Sequence, residues 1–151
     1  MLTHVHAADN AAVLACIDPD AIGASTVVSD YVDASKFHQI LAIVMAGTLG
    51  SSATLDAKLV QATSAAGAGA KDITGAAITQ LTQAGTDSDK QALISLNVDA
   101  LDVANGFQYV ALSMTIGTAT SDAGGLIIGL APRVGPASDN DLASVDEIVR
   151  I

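Results

Sequence analysis

Apolar side chains return at every second position in three separate stretches of this chain, and that period allows little besides extended strands with one buried face. Thr54 to Gln61 places Leu55, Ala57 and Leu59 on one side and Asp56 and Lys58 on the other. Lys90 to Val98 aligns Ala92, Ile94, Leu96 and Val98, and Phe107 to Ile116 aligns Val110, Leu112, Met114 and Ile116. Glycine- and aspartate-rich turns separate these stretches, and no long helical period lies between them. Ala24 to Val32 is β-branched and half polar, as an outer strand would be. Phe37 to Ala46 is apolar on both alternating sets, which fits a strand buried on both faces or a short helix; its flanking turns and β-branched residues favour the strand. Leu126 to Ala131 reads as a last strand stopped by Pro132. Ala76 to Gln83 suits a strand or a short helix, and the Ala-, Gly- and Ser-rich stretch from Ala62 to Gly75 suits a long loop pinned by Ile73.

Seven or eight short strands without intervening helices predict an all-β fold, a jelly-roll-like β-sandwich with extended N- and C-terminal arms. The expected organisation is an arm over residues 1–23 that includes a short strand or helix, a sandwich over residues 24–132 and a tail over residues 133–151. The expected core is Leu41, Ile43, Leu55, Leu59, Ile94, Leu96, Val110, Leu112, Met114 and Ile128, the larger apolar members of the alternating sets. A chain of 151 residues can bury one such core. Only 3% of the residues are aromatic, so the core must be filled by aliphatic side chains and many alanines. Burying a Val, Leu or Ile contributes roughly 1.5–3 kcal/mol and Ala less. A thin core of this kind predicts stabilisation by neighbours, as a trimer or a higher ring.

The charge balance narrows the partners. Six Lys and Arg face 16 acids, a net charge of −10, and the basic residues do not cluster, which opposes contact with nucleic acid phosphates. All the acids but Glu147 are aspartates, a residue of turns and strand ends rather than of exposed helices. The longest apolar runs, Ile40 to Ala46 and Leu126 to Ala131, fall short of the roughly 18–20 residues a membrane helix requires. The N-terminus has no basic segment before its short apolar run and does not read as a signal peptide. One cysteine, Cys16, cannot form an internal disulfide.

No motif carries chemistry. Gly67-Ala68-Gly69-Ala70-Lys71 is a poor phosphate loop, with Asp72 where Ser or Thr is required. The chain has no G-x-S-x-G elbow, and a triad would have to recruit His38. His4 and His6 would point the same way in a strand but lack a third metal ligand. The aspartate pairs Asp18/Asp20, Asp87/Asp89, Asp99/Asp102 and Asp139/Asp141 match no calcium loop and suit Asx turns and caps. No catalytic, cofactor or metal residue is expected. The two ends are the candidate interface instead. Val13, Leu14 and Ile17 before the first strand, and Leu142, Val145, Ile148 and Val149 after the last, are apolar residues that a solvated tail has no reason to carry.

Five stretches, Phe37 to Leu49, Ala53 to Thr63, Gly69 to Thr82, Val98 to Val110 and Arg133 to Asp139, together resemble a family of small proteins encoded among the structural genes of tailed bacteriophages and prophages. The resemblance covers the chain from about Ser25 onward, and its motifs are structural, so no site residues carry over. It implies a virion protein on the head surface, a decoration (cement) subunit bound to the major capsid protein or the base of a head fibre. A tail, baseplate or receptor-contacting component is the second reading, and a small hydrolase the third.

Overall fold

The computed structural model describes residues 5–151. A one-turn helix, α1 (Ala7–Asn10), leads into ten strands: β1 (Ala11–Ile22), β2 (Ser25–Val28), β3 (Val32–Asp33), β4 (Phe37–Ala46), β5 (Thr54–Ala62), β6 (Lys71–Ala77), β7 (Leu81–Thr82), β8 (Gln91–Asn97), β9 (Tyr109–Gly117) and β10 (Ser121–Pro132). They form two antiparallel sheets. The first has the order β1-β10-β4-β8, and the second has β2-β9-β5-β6, with β3 extending the β2 edge along β9 and β7 extending the β6 edge along β5. With β2/β3 and β6/β7 each counted as one interrupted strand, the chain changes sheet at every connection except the β5–β6 hairpin. That is the connectivity of a jelly roll, two Greek keys folded together.

The turns form where small and polar residues permit them. Asp33 caps the 3₁₀ turn Ala34–Lys36, its carboxylate accepting from the Ser35 amide at 3.0 Å. Gly106, at φ 84°, closes the two short turns that join β8 to β9, a left-handed conformation that costs glycine least.

The core between the sheets contains Leu55, Leu59, Ile94, Leu96, Val110, Leu112 and Met114, as the alternation predicts. Leu41, Ile43 and Ile128 are corrections: each is only half-buried, and the core members of their strands are Phe37, Ile40, Ala42, Val44 and Ala46 on β4 and Ala123 and Ile127 on β10. The reason lies in β10, whose inward set is mostly small. A Cβ on Gly129 would lie 2.8 Å from the Phe37 ring, and one on Gly125 would lie 2.6 Å from Leu112 Cδ2. Phe37 and Leu112 fill the space that β10 leaves, so the larger members of β10, Leu126, Ile128 and Leu130, point outward.

The ends also differ from expectation. Ala11–Ile22 is not an arm but β1, paired to β10 along its length, with register shifts between Val13 and Ala15 and between Ile17 and Asp20. The sandwich therefore begins at Ala11. The loop expected to reach Gly75 ends at Ala70, because Ile73 is a buried residue of β6. The tail after Pro132 contributes buried Ala137 and returns along β1. Val13 N–H donates to Asp141 Oδ1 at 2.7 Å, and Leu142 N–H donates to the Val13 carbonyl at 2.7 Å.

Candidate functional site: the outer face of the first sheet

Strand register sets the outer face of the first sheet in rows. Ala11, Leu130, Gln39 and Asn97 lie side by side; then Val13, Ile128, Leu41 and Ser95; then Cys16, Leu126, Ile43 and Leu93; and finally Gly124, Met45 and Gln91. None of these residues is charged. Leu93 is 64% exposed and Met45 38%, while Val13, Leu41, Ile43, Leu126, Ile128 and Leu130 are half-buried by one another. With strands about 4.8 Å apart and about 6.8 Å per two residues, the face covers on the order of 400 Å². Apolar patches of about that size on a monomer are often functional.

An open depression of about 570 Å³ adjoins the last row, between Pro19, Met45, Gly47, Asp89, Gln91 and Asp122. It brings the carboxylates of Asp20, Asp89 and Asp122 to one end of the apolar face, and no His, Ser, Thr, Cys, Lys or Tyr lines it. Among the described residues no three His, Cys, Asp or Glu side chains stand close enough to hold a metal ion. His4 lies outside the described residues, and His6 is the N-cap residue of α1. His38 is exposed on β4. Lys71, at the end of the glycine-rich loop, opens a strand rather than a helix and pairs with Asp102. Of the paired aspartates, Asp18, Asp20, Asp87, Asp102 and Asp141 bond the backbone or nearby side chains. Asp87 accepts from the Thr82 amide, Asp20 from the Ala21 amide, and Asp102 from Lys71 and Asn105. Cys16 is the one thiol, and burial, then its hydrogen bond to Asp18, pushes its pKa up, away from the thiolate that nucleophilic chemistry needs.

The residues proposed from sequence as the interface divide. Leu14 and Ile17 are 7% and 5% exposed and belong to the core, whereas Val13 lies on the outer face. Leu142, Val145 and Ile148 are half-buried, with Leu142 fastened to the β1 edge, and Val149 is 71% exposed. The structure thus assembles one surface from β1, β10, β4 and β8 that the terminal segments do not define. The sequence reading places Leu41, Ile43 and Ile128 in the core and leaves Leu126 and Leu130 in the last strand without a face, so it does not find this surface. The available signal was the alternation of Ala123, Gly125 and Gly129 with Leu126, Ile128 and Leu130: the small set packs, and the large set is left outside.

No family model and no curated protein matches the chain. Among solved structures, the chain is similar to one reported under the description "Bacillus endospore appendages form a novel family of disulfide-linked pili", at 14% identity over 87% of this chain and 99% of that one, with a TM-score of 0.34. Superposition of that quality does not establish a common fold.

Proposed function

We propose that this protein is a non-enzymatic structural subunit of a multi-copy assembly, specifically a decoration (cement) protein on the head of a tailed bacteriophage, held by contacts to its own copies and to the major capsid protein. The uncharged apolar outer face of the first sheet carries the reading. A sheet face in contact with water is ordinarily polar, and on this one Leu93 and Met45 stand exposed. At about 400 Å² it is half of the roughly 800 Å² per partner of a standard stable interface. A surface of that size holds best where many copies bind a repeating lattice and neighbours add to one another's attachment. The family resemblance supports the head location.

Quantitative mass spectrometry of purified virions tests this reading. A decoration subunit is present in hundreds of copies per particle, whereas a few copies would favour a tail or baseplate component, and absence from the particle would overturn both.

A further inference from the structure

The two sheets have four edges, and three carry devices that prevent another strand from adding. The β1 edge has two register shifts, Pro19, and the tail bound to both the amide and the carbonyl of Val13. The β2/β3 edge is interrupted after Val28 and carries Asp30 and Asp33. The β6/β7 edge is likewise broken, carries Lys71 and Asp72, and contains Gly75 at φ 80°. β8 has none of these features. Gln91–Asn97 is seven residues of unbroken strand, Gln-Ala-Leu-Ile-Ser-Leu-Asn, with no charge, proline, glycine or bulge.

Its free hydrogen-bonding groups can be assigned. The Ala46 amide donates to the Lys90 carbonyl at 2.8 Å, which puts Lys90, Ala92, Ile94 and Leu96 in the hydrogen-bonded positions against β4. The amides and carbonyls of Gln91, Leu93, Ser95 and Asn97 therefore point away from the sheet, and no backbone partner meets them among the described residues.

We infer that β8 is a self-pairing edge, at which a second copy of this chain adds its own β8 antiparallel across a two-fold axis. An antiparallel strand pair is self-complementary. Centred on Ile94, the pairing sets Leu93 opposite Ser95 of the partner subunit and Gln91 opposite Asn97 of the partner subunit, and it uses all four free residues. It also joins two apolar outer faces into one eight-stranded surface. Charge selects a second copy. Two chains of net charge −10 repel one another at most approaches, and the strand Gln91–Asn97 and the adjoining face bring uncharged residues together, with Asp89 and Asp99 just outside the paired segment. A strand of this length buries less than the roughly 800 Å² per partner of a standard interface, so the pair forms reversibly and gains from local concentration. This contact goes beyond the head-decoration reading and holds whatever lattice the outer face binds.

The test is sedimentation equilibrium of the full-length protein at concentrations up to about 100 µM, the range suited to a sub-standard interface. The expected result is a reversible species of twice the 15.0 kDa chain mass. Ser95→Pro removes an amide that faces away from β4, and Leu93→Lys puts a charge on the free edge. Each should weaken the dimer at least about tenfold, which is about 1.4 kcal/mol, with circular dichroism unchanged. If Ser95→Pro fails to fold, Leu93→Lys decides alone. A wild-type monomer throughout the range, a dimer indifferent to Leu93→Lys, or a dimer broken instead by Ile128→Asp would overturn the inference. Virion copy number bears on the decoration reading separately and leaves this result standing.

Discussion

The two sheets of the sandwich bury similar inner faces and present opposite outer ones. On the second sheet two outward rows are Thr26, Thr115 and Asp56, then Val28, Ser113 and Lys58, and the next, Val60 and Ala111, is apolar but buried. The Thr26 and Thr115 hydroxyls share a hydrogen bond of 2.8 Å, and Lys58 pairs with Asp72 at 2.8 Å. That is a solvated face whose side chains satisfy one another. The first sheet has Leu, Ile, Val and Met at most of the equivalent positions on β10 and β4, with uncharged Gln39, Gln91, Ser95 and Asn97 beside them. Fold stability does not require that difference, since the core is complete without it. What a jelly roll needs for folding is on its inside, and the departure from a polar exterior is the observation on which the proposed attachment surface rests.

The comparison is broken most sharply by placing one charge on each side of it. Leu112 is fully buried between the sheets, so Leu112→Asp strands a carboxylate without a partner and should abolish folding. Ile128→Asp, on the outer face, should leave the circular dichroism spectrum and a cooperative thermal transition intact while preventing attachment to particles. If Ile128→Asp unfolds the protein as Leu112→Asp does, the outer face belongs to the core. If it folds and still attaches fully, the attachment surface lies elsewhere.

A second variant sharpens the account of why the large side chains face outward. Gly129→Val brings a side chain against the Phe37 ring, where even a Cβ would lie at 2.8 Å. Overpacking of this kind costs about 1–3 kcal/mol, and urea denaturation should show it as a lower midpoint at unchanged slope. Neutral behaviour would mean that the inward small set of β10 is incidental.

The places where sequence reading succeeded and failed have a physical basis. Strands with one polar set, such as β5, β8 and β9, were legible because Asp56, Lys58, Ser95 and Thr115 declare which side is wet. On β4 and β10 both sets are apolar, and period-two reasoning then has no means of choosing a face. Choosing the larger side chains at Leu41, Ile43 and Ile128 was the natural step, and it was defeated by Phe37 and Leu112 reaching across to the glycines of β10. β1 was obscured by its register shifts and by Pro19, which interrupt the alternation that marks the other strands. The tail reads from sequence as a contact arm toward another molecule, whereas two bonds to Val13 that no local pattern announces hold it against β1 of its own chain. The candidate surface was hidden for a further reason: it is spread over four strands that are distant in sequence, and the β10–β4–β8 register alone brings Leu126, Ile43 and Leu93 into one row.

The smallest expected effects lie on the polar side of the comparison. The Lys58 and Asp72 side chains are 44% and 67% exposed, and an ion pair so solvated contributes roughly 0–1 kcal/mol. Lys58→Ala should therefore shift the urea midpoint barely beyond error. Acid titration is the finer probe. Hydrogen bonds from Lys71 and then Asn105 hold the Asp102 carboxyl below its ordinary range, and the Thr82 amide and then Lys90 do the same for Asp87. A carboxylate whose pKa is lower folded than unfolded contributes stability that is fully present above the unfolded value and is lost as pH falls through the folded one. Stability should thus be flat from neutral pH down to about 5 and decline below about 4, where unfolded aspartates begin to bind protons. Lys71→Met, which removes the first cause of the shift at Asp102, should make that decline shallower by lowering stability slightly at neutral pH while leaving it unchanged at about pH 3. An equally steep decline in Lys71→Met would show that Asp102 does not contribute to it.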